Sequence, residues 1–498
     1  MSASIRSFDI FDTLIARKSL SPQAVFALVA EHCKTPEFAL WRQQAELSLG
    51  NSAYSLHDIY LALGRQHTLS GVELASLQAE ELRVELEQAI PIAQNLQRVR
   101  DGDTLITDMY LPETFIFELL HKAGLRRNVQ LIRSAHGKAS GEIWAGLRDG
   151  GLRAKHLGDN PHSDIGTAKA AGHIAEHTQL AALSEIEQYL YRQGYTGTAL
   201  LARMLRLSAC DSDRNPTQEQ LRLLQAQVNI PLLVVASFQL IALANTASTP
   251  ITRILFSSRD CTQWLKIFRA LQSFTPAHAL ATDYFFTSRL ARHKPTADYL
   301  GYCRQQLSDG ALIVDLCGTG LSMQGFLDRH AAHARCLYLF KANSPAVLNH
   351  VAPLHPGQHA GRIDYLIDNT AAPGATPTPG ELLNLVDHGM TLGATLVFGG
   401  FLPRLAELEY SAEQARWIRG MSAEVERAAE LIADPALREH FLIRDALVPP
   451  ERAREVLATL WSLAARSQIL DACFAQTHRQ EDHKVHQHLL QASIPAQP

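Results

Sequence analysis

Apolar and polar positions along the chain change period several times. Residues 5–14, "IRSFDIFDTL", open with a short apolar run that predicts a first strand, with Asp9 and Asp12 where such a strand ends. From 15 to 98 the pattern is helical throughout. Ser21 and Pro22 suit a helix start with Val25, Leu28 and Val29 on one face, and Ser55 with Asp58 and Ser70 with Glu73 form capping-box patterns. The period then alternates. Strand text at 103–112, 129–134, 154–164 and 173–178 is separated by helical text at 113–124, 141–151 and a short "IGTAKAAG". Such alternation predicts a parallel sheet with helices on both faces.

A polar stretch, "ACDSDRNPTQEQ" (209–220), reads as a linker, and a second βα run follows at 252–261, 283–289, 311–323 and 334–345. A Pro/Gly loop at 369–381 leads into text that is mainly helical. The predicted plan is α/β. A Rossmann-like domain spans 1–190 with a helical insertion at about 15–98. A connection at 191–225 leads to a second Rossmann-like domain at 226–360, then a helical region at 361–498. No internal repeat of about 20–50 residues interrupts this plan.

Composition narrows the function classes. The chain has 498 residues, 46% apolar and 19% charged, and 46 basic against 50 acidic residues give a net charge of −4. No strong field draws nucleic acid or an anionic membrane surface. The N-terminus lacks a long apolar run, so no secretory signal is expected. The longest apolar run, 231–244, is shorter than the roughly 18–20 residues a bilayer span needs and predicts a buried helix. Seven scattered cysteines without a CxxC pair predict reduced thiols and a cytoplasmic protein. His478, His483, His486 and His488 read as a solvated helix end, and Trp41, Trp144 and Trp264 as core.

The strand ends of the first domain collect polar groups: Asp9, then Thr107 and Asp108, then Lys138, then Asp159, Asn160 and Asp164. In a parallel sheet these ends converge on the edge where ligands bind. Carboxylates there can hold a hard cation such as Mg²⁺, one of them can attack phosphorus, and a lysine with a hydroxyl can bind phosphoryl oxygens. Four of these segments, in order, resemble the motifs of the haloacid dehalogenase superfamily. "FDIFDTL" is similar to the first, "LITDMYLP" to the second, "HGKASGEIW" to the third and "GDNPHSD" to the fourth. The resemblance covers about residues 5–185. It implies Asp9 as nucleophile, Thr13 as turn residue, Thr107 and Lys138 as phosphate binders, and Asp159 as metal ligand supported by Asp164. It also implies a Mg²⁺ held by Asp9, Asp159 and the Phe11 carbonyl, and a cap formed by residues 15–98. The family's phosphatases place a general acid two residues after the nucleophile, where this chain has Phe11. Asp12 lies three residues on, and on an extended segment it would not share the face of Asp9. Loss of such an acid typically costs ~10²–10⁴ in rate, and less with a good leaving group.

In the second domain, "ALIVDLCGTGLSM" is a buried strand followed by a loop of small residues. Asp315, Thr319, Gly320 and Ser322 have the layout of a phosphate loop, and Ser258, Arg259, Asp260, Ser288 and Arg289 end neighbouring strands. The spacing resembles the loop of type I phosphoribosyltransferases, with Val314 in place of the first of their two acids. The whole plan is also similar to predicted bacterial hydrolases that carry "FDIFDTL", "DMYLP" and a later "SRD", and that resemblance implies a phosphosugar or nucleotide-sugar substrate. Three readings follow: a Mg²⁺-dependent hydrolase acting through Asp9 on a small phosphorylated metabolite; a sugar-phosphate or phosphoribosyl transferase working in the second domain; and a binding protein whose first domain is degenerate.

Overall fold

A computed structural model describes residues 3–50, 53–208, 215–247, 249–272, 280–331, 333–342, 352–353, 363–372, 375–376 and 378–493. Residues 209–214 of the expected linker, 343–345 at the end of the last expected strand segment and parts of the 369–381 loop lie outside them. The chain divides into two compact units, Met1–Ser184 with Arg206–Ser212, and Glu185–Leu205 with Asp213–Pro498. Each is α/β and built on a parallel sheet.

The first unit's sheet contains β1 (Ala3–Phe8), β2 (Thr104–Thr107), β3 (Gln130–Arg133), β4 (Leu152–Gly158) and β5 (Ile174–His177), in the order β3-β2-β1-β4-β5. The chain moves outward from β1 to β3, then returns to the other side of β1 for β4. Ligands bind beyond the carboxyl ends of strands at such a reversal. Phe8 pairs with Leu157, and Asp9 N–H donates to Leu157 O at 2.9 Å, so Asp9 and Asp159 leave their strands side by side. One face of the sheet packs on the insertion through Phe8, Leu105 and Leu157, and the other buries Ile106, Trp144 and Ala154.

The insertion is not wholly helical. Ile15–Arg17 pairs antiparallel with Ala89–Pro91, so a two-strand ribbon forms its stem. The chain must leave and re-enter at one place, and extended pairing satisfies the backbone groups of both ends. Arg17 forks onto Glu85 across the stem with Nη2–Oε1 at 2.8 Å. Four helices follow between the ribbon strands: Pro22–His32, Phe38–Leu47, Leu56–Gln66 and Gly71–Gln88. Both capping boxes form, whereas Ser21 makes no side-chain cap bond. Arg42 is fully buried among these helices, with Nε and Nη2 on Glu81 and Nη1 on Glu46. A buried fork of this kind satisfies the charge without leaving a donor idle.

The second unit's sheet contains β6 (Arg253–Ser257), β7 (Ala281–Phe285), β8 (Ala311–Gly318), β9 (Arg335–Lys341), a two-residue β10 (Ala352–Pro353) and β11 (Ile363–Asp368), in the order β10-β11-β9-β8-β6-β7. Its strand order reverses between β6 and β8. Two elements depart from the expected helical region after residue 360. The fully buried β11 extends the sheet, and Thr391–Val397 forms a hairpin with Gly400–Leu405. The apolar run 231–244 is buried within Ile230–Thr246, but it belongs to a longer rod. Wide turns at Gln225–Asn229 join it to Pro216–Leu224, so Pro216–Thr246 is long and apolar enough to cross a membrane by length and composition. Of its most apolar window, 89% is buried inside the fold.

Candidate functional site

The carboxyl ends of β1, β2 and β4 open into a cavity of about 680 Å³ in the first unit. Asp9, Phe11 and Asp12 line it from the β1 turn, Thr107 and Asp108 from β2, Lys138 from the loop after β3, and Asp159, Asn160 and Asp164 from the β4 turn. Thr13 sits just behind, its Oγ1 3.5 Å from Asp159 Oδ1.

Lys138 is the hub. Its ammonium is 3% exposed as a residue and donates to Asp9 Oδ1 at 2.5 Å and to Asp164 Oδ1 at 2.6 Å. Burial would lower its pKa, but the two carboxylates outweigh burial and keep it charged. Its loop is fixed from below. Asp108 accepts from Lys138 N–H at 2.8 Å and from Ala139 N–H at 3.0 Å, so Asp108 holds the loop. Asp164 is held in turn by His156, whose Nε2 lies 3.3 Å away, while Nδ1 lies 2.9 Å from Ser7 Oγ. Burial lowers the His156 pKa, so the neutral ring donates to Asp164 from Nε2 and accepts from Ser7 at Nδ1. Asn160 accepts from His162 and Ser163 N–H, and its own N–H donates to Asp164 Oδ2. Gly158 makes room: a Cβ there would fall 2.6 Å from Asp164 Oδ2 and closer still to Cβ and Cγ.

The acids are not equivalent. Burial, only partly offset by Lys138 and reinforced by Asp164 and Asp159, pushes Asp9 up to about 7. Burial and the neighbouring Asp12 and Asp164 push Asp159 up to about 6. Asp164 is down at about 2, because the His156 and Lys138 contacts overcome its burial. Asp9, Asp159 and Asp164 each offer an oxygen within 4.8 Å of the others. This all-oxygen set fits a hard divalent cation, whose charge would relieve the two raised acids. The set includes Asp164, which the sequence placed in support.

Asp12 does reach the cavity. Its φ of 56° is left-handed, a conformation Asp tolerates better than most residues, and the turn rotates the carboxylate off the extended path. The Phe11 ring lies under the Arg17 guanidinium at 4.7 Å. His156 was missed because it reads as an ordinary strand position. His136 was missed as well: it lines the cavity, and its Nε2 is buried without a hydrogen-bond partner among the described residues. Its place two residues before Lys138 is the only signal the sequence carries for it.

In the second unit, Ser258, Arg259, Asp260 and Arg289 share another cavity with Asp315, Thr319, Gly320 and Ser322, a space of about 350 Å³. Some of these are committed elsewhere. Arg259 Nη1 binds Glu481 at 3.0 and 3.2 Å, so it is no independent phosphate clamp. Ser258 Oγ donates to Thr287 O at 2.8 Å, and Ser288 caps its helix by accepting from Ala291 N–H. His478 is not solvated. It is 8% exposed, lines this cavity and pairs with Glu381 at 3.0 Å. His483 is exposed, and the His486 and His488 side chains lie outside the description. Trp144 and Trp264 are fully buried, and Trp41 is half-buried.

The chain matches no family model and no curated protein.

Proposed function

We propose that the first unit is a phosphate-ester hydrolase of the haloacid dehalogenase type, with Asp9 as nucleophile and the helical insertion as its cap. One observation carries this reading. A buried lysine is held between two carboxylates at the reversal of a parallel sheet, with a third carboxylate within ligand distance of both. A structural ion pair does not need the third acid or an adjoining cavity.

In this reading a phosphoryl group enters above Asp9. The Lys138 ammonium and the Thr107 hydroxyl, which bonds no other described residue, take its oxygens. Asp9 Oδ attacks phosphorus, and the ester P–O bond breaks. The leaving alkoxide takes a proton from Asp12, which then accepts one from the water that attacks the acyl phosphate. The Asp9 carboxylate is restored and phosphate leaves. A Mg²⁺ held by Asp9, Asp159 and the Phe11 carbonyl would supply positive charge for the phosphoryl oxygens. The motif resemblance favours a small phosphorylated metabolite, a phosphosugar or nucleotide-sugar.

A series of aryl and alkyl phosphates assayed with and without Mg²⁺ tests the proposal. Mg²⁺-dependent release of phosphate is expected. The competing reading, a degenerate first unit beside a working second one, draws on Phe11, which fills the usual acid position with a ring packed under Arg17. Phosphate binding without hydrolysis of any ester would favour it.

A further inference from the structure

We infer that the second unit's cavity binds a phosphorylated polyol, with the phosphate at the Gly318–Ser322 loop beside Arg289 and Arg292 and the hydroxyls against Asp260 and Asp315. This goes beyond the proposed hydrolysis and rests on different residues. The cavity lies beyond the carboxyl ends of β6 and β8, at that sheet's own reversal.

Arg292 gives the site its anion-binding character. It is 6% exposed and lines the cavity. Its Nη1 donates to Thr287 Oγ1 at 2.8 Å and its Nε to Ser322 Oγ at 3.3 Å. Thr287 is itself fixed by the Tyr299 hydroxyl at 2.9 Å. Two sides of the guanidinium are therefore spoken for, and Nη2 has no bond to any described residue. That open donor belongs to a residue lining the cavity, where an anion can take a charge-assisted hydrogen bond from it. Ser322 stands in the first turn of helix Leu321–His330, whose amides point at the same loop. Gly320 has φ 78°, and a Cβ there would fall 3.2 Å from Ile363 Cγ2, so the loop keeps its backbone bare.

The remaining charges specify the rest of the ligand. Arg259 is matched by Glu481, and His478 by Glu381. Asp315 faces Arg292, and Asp260 stands beside Arg259 and His478. Burial, then Glu381, raises Asp260 to about 7, and burial raises Asp315 to about 6 against the pull of Arg292. A carboxyl that is partly protonated near neutrality both donates and accepts, which suits hydroxyls, and its reduced charge leaves the arginine side of the cavity attractive to an anion. No cluster of three metal-ligating side chains occurs here among the described residues, so the acids are not read as a cation site.

Calorimetry on the full chain tests this, with ribose 5-phosphate as the polyol-phosphate probe and inorganic phosphate and ribose as its halves, in EDTA. The same titrations on Lys138→Met remove phosphate capture by the first unit. Ribose 5-phosphate is expected to bind parent and Lys138→Met alike, and more tightly than either half. Arg292→Lys should weaken it about tenfold or more, and Ser322→Ala by a smaller factor. Asp315→Asn should weaken ribose 5-phosphate, while inorganic phosphate, relieved of a neighbouring negative charge, should bind at least as tightly. Unaltered affinity in both Arg292→Lys and Ser322→Ala, each checked for a cooperative thermal transition, would overturn the inference. So would binding that disappears in Lys138→Met, or no binding by the parent at millimolar probe. Absence of ester hydrolysis would sink the proposed function and leave these outcomes untouched.

Discussion

The two cavities occupy the same topological position in two different sheets, yet their charges are arranged in opposite ways. In the first unit one buried lysine serves Asp9 and Asp164 while Asp12 and Asp159 stand nearby, so carboxylates are in excess. In the second, Arg259, Arg289, Arg292 and His478 face Asp260, Asp315, Glu381 and Glu481, so the signs are balanced and two of the pairs are already closed. The sheet supplies the place and the side chains choose the chemistry. An excess of buried acid calls for a cation and a phosphoryl group. A balanced cavity with one open guanidinium donor, on Arg292, calls for an anion that also carries hydroxyls.

The largest expected effect separates the two directly. Asp9→Asn should lower phosphatase turnover by on the order of 10⁴-fold or more, while ribose 5-phosphate binding by calorimetry stays as in the parent. Next, Asp12→Asn should slow alkyl phosphates by about 10²-fold and p-nitrophenyl phosphate much less, because only the poor leaving group needs the proton. Steady-state rates across the ester series measure this, and an equal loss on both classes would remove Asp12 from that role.

The pH dependences should run in opposite directions. A cation competes with protons for Asp9 and Asp159, raised to about 7 and about 6. Apparent Mg²⁺ affinity should therefore climb from pH 5, by up to about a hundredfold per pH unit while both acids hold protons and about tenfold once only Asp9 does, and level off above pH 7. In the second cavity, Asp315 and Asp260 gain negative charge as pH rises through about 6 and about 7. Binding of sulfate there, an anion whose own charge stays constant over this range, should weaken over the same interval. Titrations at pH 5, 6, 7 and 8 compare the two slopes, and parallel slopes would break the contrast. The smallest effect is structural. Gly158→Ala should force Asp164 aside, lowering stability by about 1–3 kcal/mol in urea unfolding and reducing turnover with it.

Much of the first site was legible because its signals are local. Each strand end carries its polar residue within a few positions of an apolar run, and sheet closure brings Asp9, Thr107, Lys138 and Asp159 to one edge. What was not legible depends on distant partners or on backbone turns. Asp108 looks like chemistry but is a loop clamp, because the amides it accepts from are 30 and 31 residues away. Asp12 reads as facing away, and only its left-handed turn brings it in. The ribbon Ile15–Arg17 is three residues long, below what periodicity can signal, and it pairs with a segment at the far end of the insertion. In the second unit the pairing of Glu381 with His478 joins two helices far apart in sequence. His478 therefore looked solvated until its helix was packed. Strand β11 was lost among helical text because its two acids, Asp364 and Asp368, are buried and break the apolar run.

The central claim is that Asp9 forms a covalent bond to phosphorus. The most direct measurement is borohydride trapping during Mg²⁺-supported turnover of p-nitrophenyl phosphate, followed by peptide mass spectrometry. An acyl phosphate at Asp9 is reduced to homoserine at position 9, in proportion to the intermediate present, and none forms without substrate or in Asp9→Asn. Steady hydrolysis with position 9 left as unmodified aspartate, or with the label on another acid, would contradict the account.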